Sequence, residues 1–172
     1  MIEHRLIERM LAIVNREVGI AQERGKLDPL FVDTVVDFIR TYADRTHHGK
    51  EEDILFRELA GKSMSPDDER MMQDLVEEHR FARKTVGELV QAEQEYLLGR
   101  RESLDTVLAK LRVLAGFYPE HIRKEDRIFF PNSEKYLTQD EQQAMLEEFW
   151  EFDRRMIHEK YTAVVKQMEV QH

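Results

Sequence analysis

Apolar residues recur every three or four positions along almost the whole chain, and the breaks in that rhythm are few and sharply marked. Such a period is that of a helix with one buried face. His4, Ile7, Leu11, Val14 and Val18 form the first face, in a helix predicted over about 2–24, and Gly25 follows as its stop. Asp28-Pro29 reads as a cap with proline in the first turn. It opens a second helix carrying Val32, Val35, Val36, Ile39, Tyr42 and Ala43 to an end near 59–61. Ser65-Pro66-Asp67-Asp68 opens a third, with Met72, Leu75, Val76, His79, Ala82, Val86 and Val90 inside and Gly99 at its end. A fourth begins near Ser103, buries Leu104, Val107, Leu108, Leu111, Leu114 and Tyr118, passes Pro119 and stops at Pro131. Thr138 and Glu141 form a capping box for a fifth, about 139–169, with a short irregular segment over 131–138. The connections are short, so sequential helices should be antiparallel neighbours. The fold class predicted is all-α, an up-down-up-down four-helix bundle with an additional C-terminal helix.

The 172 residues suit one domain, the bundle over about 2–131 and the extra helix over about 139–169. At 41% hydrophobic and 35% charged the chain should be globular. It has no apolar run near the ~20 residues a membrane span needs. The start, MIEHRLIERM, lacks the apolar core of a signal peptide, so a cytoplasmic home is expected. With no cysteine, thiolate and iron–sulfur chemistry are excluded. A net charge of −9, with basic residues scattered among acidic ones, argues against nucleic acid and against anionic membrane surfaces as partners.

Two stretches carry the chemistry. HHGKEEDILF at 47–56 and HIRKEDRIFF at 121–130 both read H-x-x-K-E-[ED]-x-I-[LF]-F. Extending the apolar phase of the second helix at about 3.6 residues per turn turns His47, Glu51 and Ile54 inward. On the fourth helix the same extension turns His121, Glu125 and Ile128 inward. His79 follows the inner face of the third helix, and His4 heads that of the first. Four helices thus each aim a histidine at the axis, at one end of the bundle, and two add a glutamate one turn on. Burying such groups uncompensated would cost several kcal/mol for each unpaired carboxylate, a cost that a cluster of divalent or trivalent cations removes. Imidazole with carboxylate and no thiolate suits iron, manganese or zinc, and two carboxylates able to bridge favour a two-metal site. His48 and Glu52 lie about 100° from the inner direction. His48 is kept as an extra ligand, and His48/Glu52 as a second register. Asp126 could bridge in place of Glu125, at poorer phase. His158 reads as a surface residue and His172 as a frayed end.

EHRLIERML, HHGKEEDILF, EEHRFARK and HIRKEDRIFFP together resemble the hemerythrin-like, or HHE cation-binding, domain over most of 2–131. The resemblance implies a non-haem di-iron centre, two Fe ions bridged by carboxylates. The ligands it implies are His4, His47, Glu51, His79, His121 and Glu125. The oxygen-carrying members have a second histidine one turn after the third-helix ligand, where this chain has Arg83. Carriage like theirs is therefore not what the resemblance implies; it points to the members linked to sensing, iron handling or redox stress, and His48 could supply the nitrogen that is missing.

The expected function is binding of oxygen, or a related small molecule or oxidant, at an open metal position. A peroxidase- or oxidase-like enzyme at the same site is the alternative, with no catalytic residue defined. A helical interaction module holding structural zinc is the third reading. Tyr42, Phe56, Phe117 and Tyr118 are candidates to line the pocket. Phe149, Trp150, Phe152, Ile157, Tyr161 and Val165 make the fifth helix apolar enough to cover the bundle or build a homodimer; a sensor would otherwise act through a separate signalling partner.

Overall fold

The computed structural model describes residues 2–171 and is built of helices. Helix α1 spans Ile2–Arg24. Helix α2 is one rod over 29–60, passing through Pro29–Phe38, Ile39–His48, Glu51–Phe56 and Arg57–Ala60. Helix α3 is Pro66–Leu97. Helix α4 runs over 103–133 as Ser103–Lys124, Glu125–Phe129 and Phe130–Ser133, and a 3-10 turn, Glu134–Tyr136, leads to α5, Gln139–Gln171. His172, and the side chains of Tyr161 and Val165, lie outside the described residues. None of these helices is long and apolar enough to cross a membrane.

The helix ends follow from their residues. Asp28 accepts from the Leu30 amide at 3.1 Å, and Ser65 from the Asp68 amide at 3.3 Å. Glu141 accepts from the Thr138 amide at 2.8 Å while Thr138 accepts from the Glu141 amide at 3.3 Å, the reciprocal capping box. Gly25 and Gly99 turn the chain at φ 64° and 87°, a region costly for other residues. Helix α4 does not stop at Pro131 as expected. Pro131 falls in the first turn of the last piece, where its missing N–H does no harm, and the helix continues to Ser133.

Helix α1 packs on α2 and α4, α3 packs on α2 and α4, and α5 lies outside against α2. Two apolar clusters fill the interior. The larger runs along the bundle through Leu11, Val35, Leu89, Leu111 and Tyr118. The smaller, around Leu59, Leu75 and Phe129, closes one end together with Leu137 from the α4–α5 connection. Each fully buried Val or Leu contributes about 1.5–3 kcal/mol. The polar residues picked out from the sequence lie between these clusters.

In three segments, Ile39–His48, Glu51–Phe56 and Glu125–Phe129, the backbone bonds from i to i+5 in place of i+4. Such wide turns in α-helices gather at functional sites. They also shift the helical phase. Ile54 is buried as expected, but Ile128 is 38% exposed and Phe129 takes the inner position at 2%. Gly49, between two wide segments, lets α5 come close: a Cβ there would lie 2.9 Å from the ring of Phe152.

Candidate metal centre

His4, His47, His48, Glu51, His79, His121 and Glu125 are all buried, none more than 3% exposed. They form two groups. His4, His47, Glu51 and Glu125 bring one ligand atom each to within 4.8 Å of one another, and His48, His79 and His121 do the same. The structure therefore brings together all seven residues proposed from the sequence. His48 is inward because the wide segment that ends at His48 advances less per residue around the helix axis than an α-helix does. His47 and His48, adjacent in sequence, thus serve one group each. Neither Glu52 nor Asp126 lies in the inner groups, and His158 is exposed.

The two inner carboxylates span both groups. Glu51 places Oε1 3.5 Å from His47 Nε2 and Oε2 3.4 Å from His79 Nε2. Glu125 places Oε2 3.2 Å from His4 Nε2 and Oε1 3.1 Å from His121 Nε2.

Every one of the five imidazoles donates Nδ1–H outward to a carboxylate. His4 donates to Asp126 at 2.9 Å, His47 to Glu3 at 3.0 Å, and His48 to Asp44 at 3.4 Å. His79 donates to Glu52 at 2.6 Å and His121 to Glu78 at 2.8 Å. A carboxylate can only accept, so Nδ1 carries the hydrogen and Nε2 is left as an inward lone pair. Each outer carboxylate is held in turn by a cation: Glu3 by Lys50, Glu78 by Lys124, Asp126 by Arg5, and both Asp44 and Glu52 by Arg83. This layered support is what orients and strengthens imidazole ligands in metal sites.

The lone pairs have nothing among the described residues to bind. His4 Nε2 and His47 Nε2 face each other at 2.9 Å, a repulsive approach for two acceptors unless something positive lies at that point. Nε2 of His48, His79 and His121 and all four oxygens of Glu51 and Glu125 are buried without a hydrogen-bond partner. An unpaired buried polar group costs about 1–3 kcal/mol, and a charged one more. Seven such atoms converging within two small volumes fit a pair of cations.

Where no cation is bound, the inner carboxylates draw protons onto the facing imidazoles instead. Burial alone would push the imidazoles down. Contacts with Glu125, Glu51 and Glu52 instead carry His79 up to about 11, and those with Glu125 and Glu78 carry His121 up to about 9. Burial and the neighbouring imidazoles His79, His47 and His121 hold His48 well below its usual value. Glu125 stays well below the usual carboxylate range in spite of burial, because the imidazoles of His121, His4 and His79 converge on it and favour its charged form. The inner carboxylates thus create a strong demand for positive charge.

The repeat in the sequence now has a reason at nearly every letter. Its histidine, His47 or His121, points inward. Its lysine, Lys50 or Lys124, clamps the outer carboxylate of that histidine. Its first acid, Glu51 or Glu125, spans the groups. Its second acid, Glu52 or Asp126, orients the histidine of a neighbouring helix, His79 or His4. Its last phenylalanine, Phe56 or Phe130, stacks on that same histidine at 6.0 Å. Periodicity does not single out the orienting carboxylates Glu3, Asp44 and Glu78; for Glu3 and Glu78 the sequence does carry a signal, the Glu-His-Arg that occurs at both 3–5 and 78–80. The repeat breaks at one inner position: His48 has Ile122 as its counterpart. One group therefore has three histidines and the other two.

A family model described as Hemerythrin HHE cation binding domain matches residues 1–132. No curated protein and no solved structure matches.

Proposed function

Since the chain belongs to the hemerythrin HHE cation-binding domain family, we propose that it is a non-haem di-iron protein that binds oxygen or a related small oxidant in the bundle core, serving sensing, iron handling or redox protection. The observation that carries this reading is the pair of shared carboxylates, Glu51 and Glu125, each with one oxygen turned to each histidine group. His48, His79 and His121 would hold one ion, and His4 and His47 the other. Iron there would supply one-electron redox chemistry and an open position for a small oxidant. The chain's own residues do the rest. Glu3, Asp44, Glu52, Glu78 and Asp126 fix the imidazole tautomers, and their negative charge raises the basicity of the ligands and favours the higher-valent metal. Phe56, Phe117 and Phe130 stack on His79, His121 and His4 at 6.0, 5.3 and 6.0 Å and exclude water from that side of the rings. Arg83, where the carriers have a histidine, serves as the cation between Asp44 and Glu52.

The test is the metal content of the purified chain with and without His121→Ala. The reading expects iron in the parent, a visible absorption band on exposure to air, and loss of about half the metal or more in the variant through lost coordination. Zinc in place of iron, with no band, supports the structural-zinc reading instead.

A further inference from the structure

A site that handles only a diatomic molecule needs no chamber for anything larger, yet this one has such a chamber beside it. A cavity of about 290 Å³ opens between α2, the end of α4 and the first turns of α5, and His47, Glu51 and Lys50 form part of its wall. It meets the two-histidine group, the one where the repeat supplies no third imidazole. Most of its wall is apolar: Leu55, Phe130, Leu137, Met145, Leu146 and Phe149. Leu137, Met145, Leu146 and Phe149 lie beyond residue 132, where the family match ends. The chamber is thus a product of this chain's C-terminal helix folding onto the shared bundle.

We propose that this chamber binds an uncharged, mainly apolar organic molecule and presents it to the His47/Glu51 side of the centre. The volume is close to the lower end of the roughly 300–1,000 Å³ usual for organic-ligand clefts, and the pattern of an apolar wall with few polar groups is the usual one. Charge selects further. Glu3, Glu51 and Glu134 line the chamber against a single cation, Lys50. That ammonium is already held by Glu3 at 2.5 Å and Asp153 at 2.9 Å, so it has little left to offer an anion. A ring of the size of indole fits the space and the charge; its carboxylate derivatives do not.

This inference deepens the di-iron reading by giving the centre an organic substrate class, but its test does not depend on iron. Indole and indole-3-acetate are titrated against the metal-free and the iron-loaded full-length chain by ligand-observed NMR. The same is done with Met145→Trp and Leu146→Trp, two separate ways of filling the chamber, each checked for helix content by circular dichroism. Indole should bind both forms of the parent saturably, and at least about tenfold more weakly in whichever variants fold, with indole-3-acetate also weaker by about tenfold. No saturable indole binding at millimolar concentration overturns the proposal, as does equal affinity in the filled variants or equal affinity for the anion. Iron content is read on the same samples. Indole binding by a chain that takes up no iron leaves the chamber standing and removes the di-iron reading, and iron uptake without indole binding does the reverse.

Discussion

Glu52 accepts a hydrogen bond from Nδ1 of His79 at 2.6 Å, and Arg83 holds the same carboxylate at 2.8 Å. The link runs from the half-exposed rim of the bundle to a nitrogen that is fully buried. On the proposed reading, His48 would supply the nitrogen that Arg83 replaces, and Arg83 holds the carboxylates behind both His48 and His79.

Glu52→Gln should therefore weaken metal binding while leaving the fold intact. The amide keeps the shape but loses the charge that makes His79 a strong donor. Loss of such a partner typically costs about 10–100-fold in metal affinity. Competition against a chelator measures it. The matching change at exposed Glu77, which pairs with Arg80 on its own helix, should leave affinity within about twofold of the parent.

Glu93 gives a pH dependence that is independent of the metal. It is 4% exposed, and burial, aided by the charge of Asp33, pushes its carboxyl up to about 7. Its unfolded value is near 4.5. Below that value both states hold the proton. Between about 4.5 and 7 the unfolded chain gives up its proton while the folded one keeps it, so stability falls as pH rises through this window and levels off above it. Glu93→Gln removes this contribution. Thermal melts of the two proteins should diverge from pH 5 to pH 8, with the variant gaining relative to the parent at the higher pH.

The shifted phase at the end of α4 makes a stability prediction. Phe129→Ala should destabilise the metal-free chain by about 3–5 kcal/mol, as large-to-small changes in a closed core do. Ile128→Ala, on the outer side, should stay within about 0.5 kcal/mol. Urea unfolding of the two variants distinguishes them. The order of these two effects is the reverse of what an unbroken α-helical period gives.

That reversal shows where sequence reasoning holds and where it ends. Five helices, their caps and the inward histidines on α1, α3 and α4 are legible because each rests on local chemistry: period, cap residue and stop. Glu51 and Glu125 follow from the same period. What fails to follow is set by backbone bonding that no residue type announces. The wide segments at 39–48 and 125–129 bring His48 in and turn Ile128 out. The outer carboxylates were hidden for another reason. Glu3, Asp44 and Glu78 look like ordinary solvated acids on helix surfaces; the repeated Glu-His-Arg marks two of them, but the contacts made in the folded bundle decide which ring each one orients. The chamber under α5 is likewise a matter of tertiary packing, since Met145 and Phe149 alone read as a plain apolar stripe.

The central claim is that two cations share Glu51 and Glu125 between a three-histidine and a two-histidine group. Anaerobic titration of the metal-free chain with ferrous iron, followed by equilibrium metal analysis, tests it most directly. The account predicts a break at two irons per chain in the parent, with Glu125→Ala losing the break at two. A parent that saturates at one iron or none, or a Glu125→Ala variant that still takes up two, contradicts it.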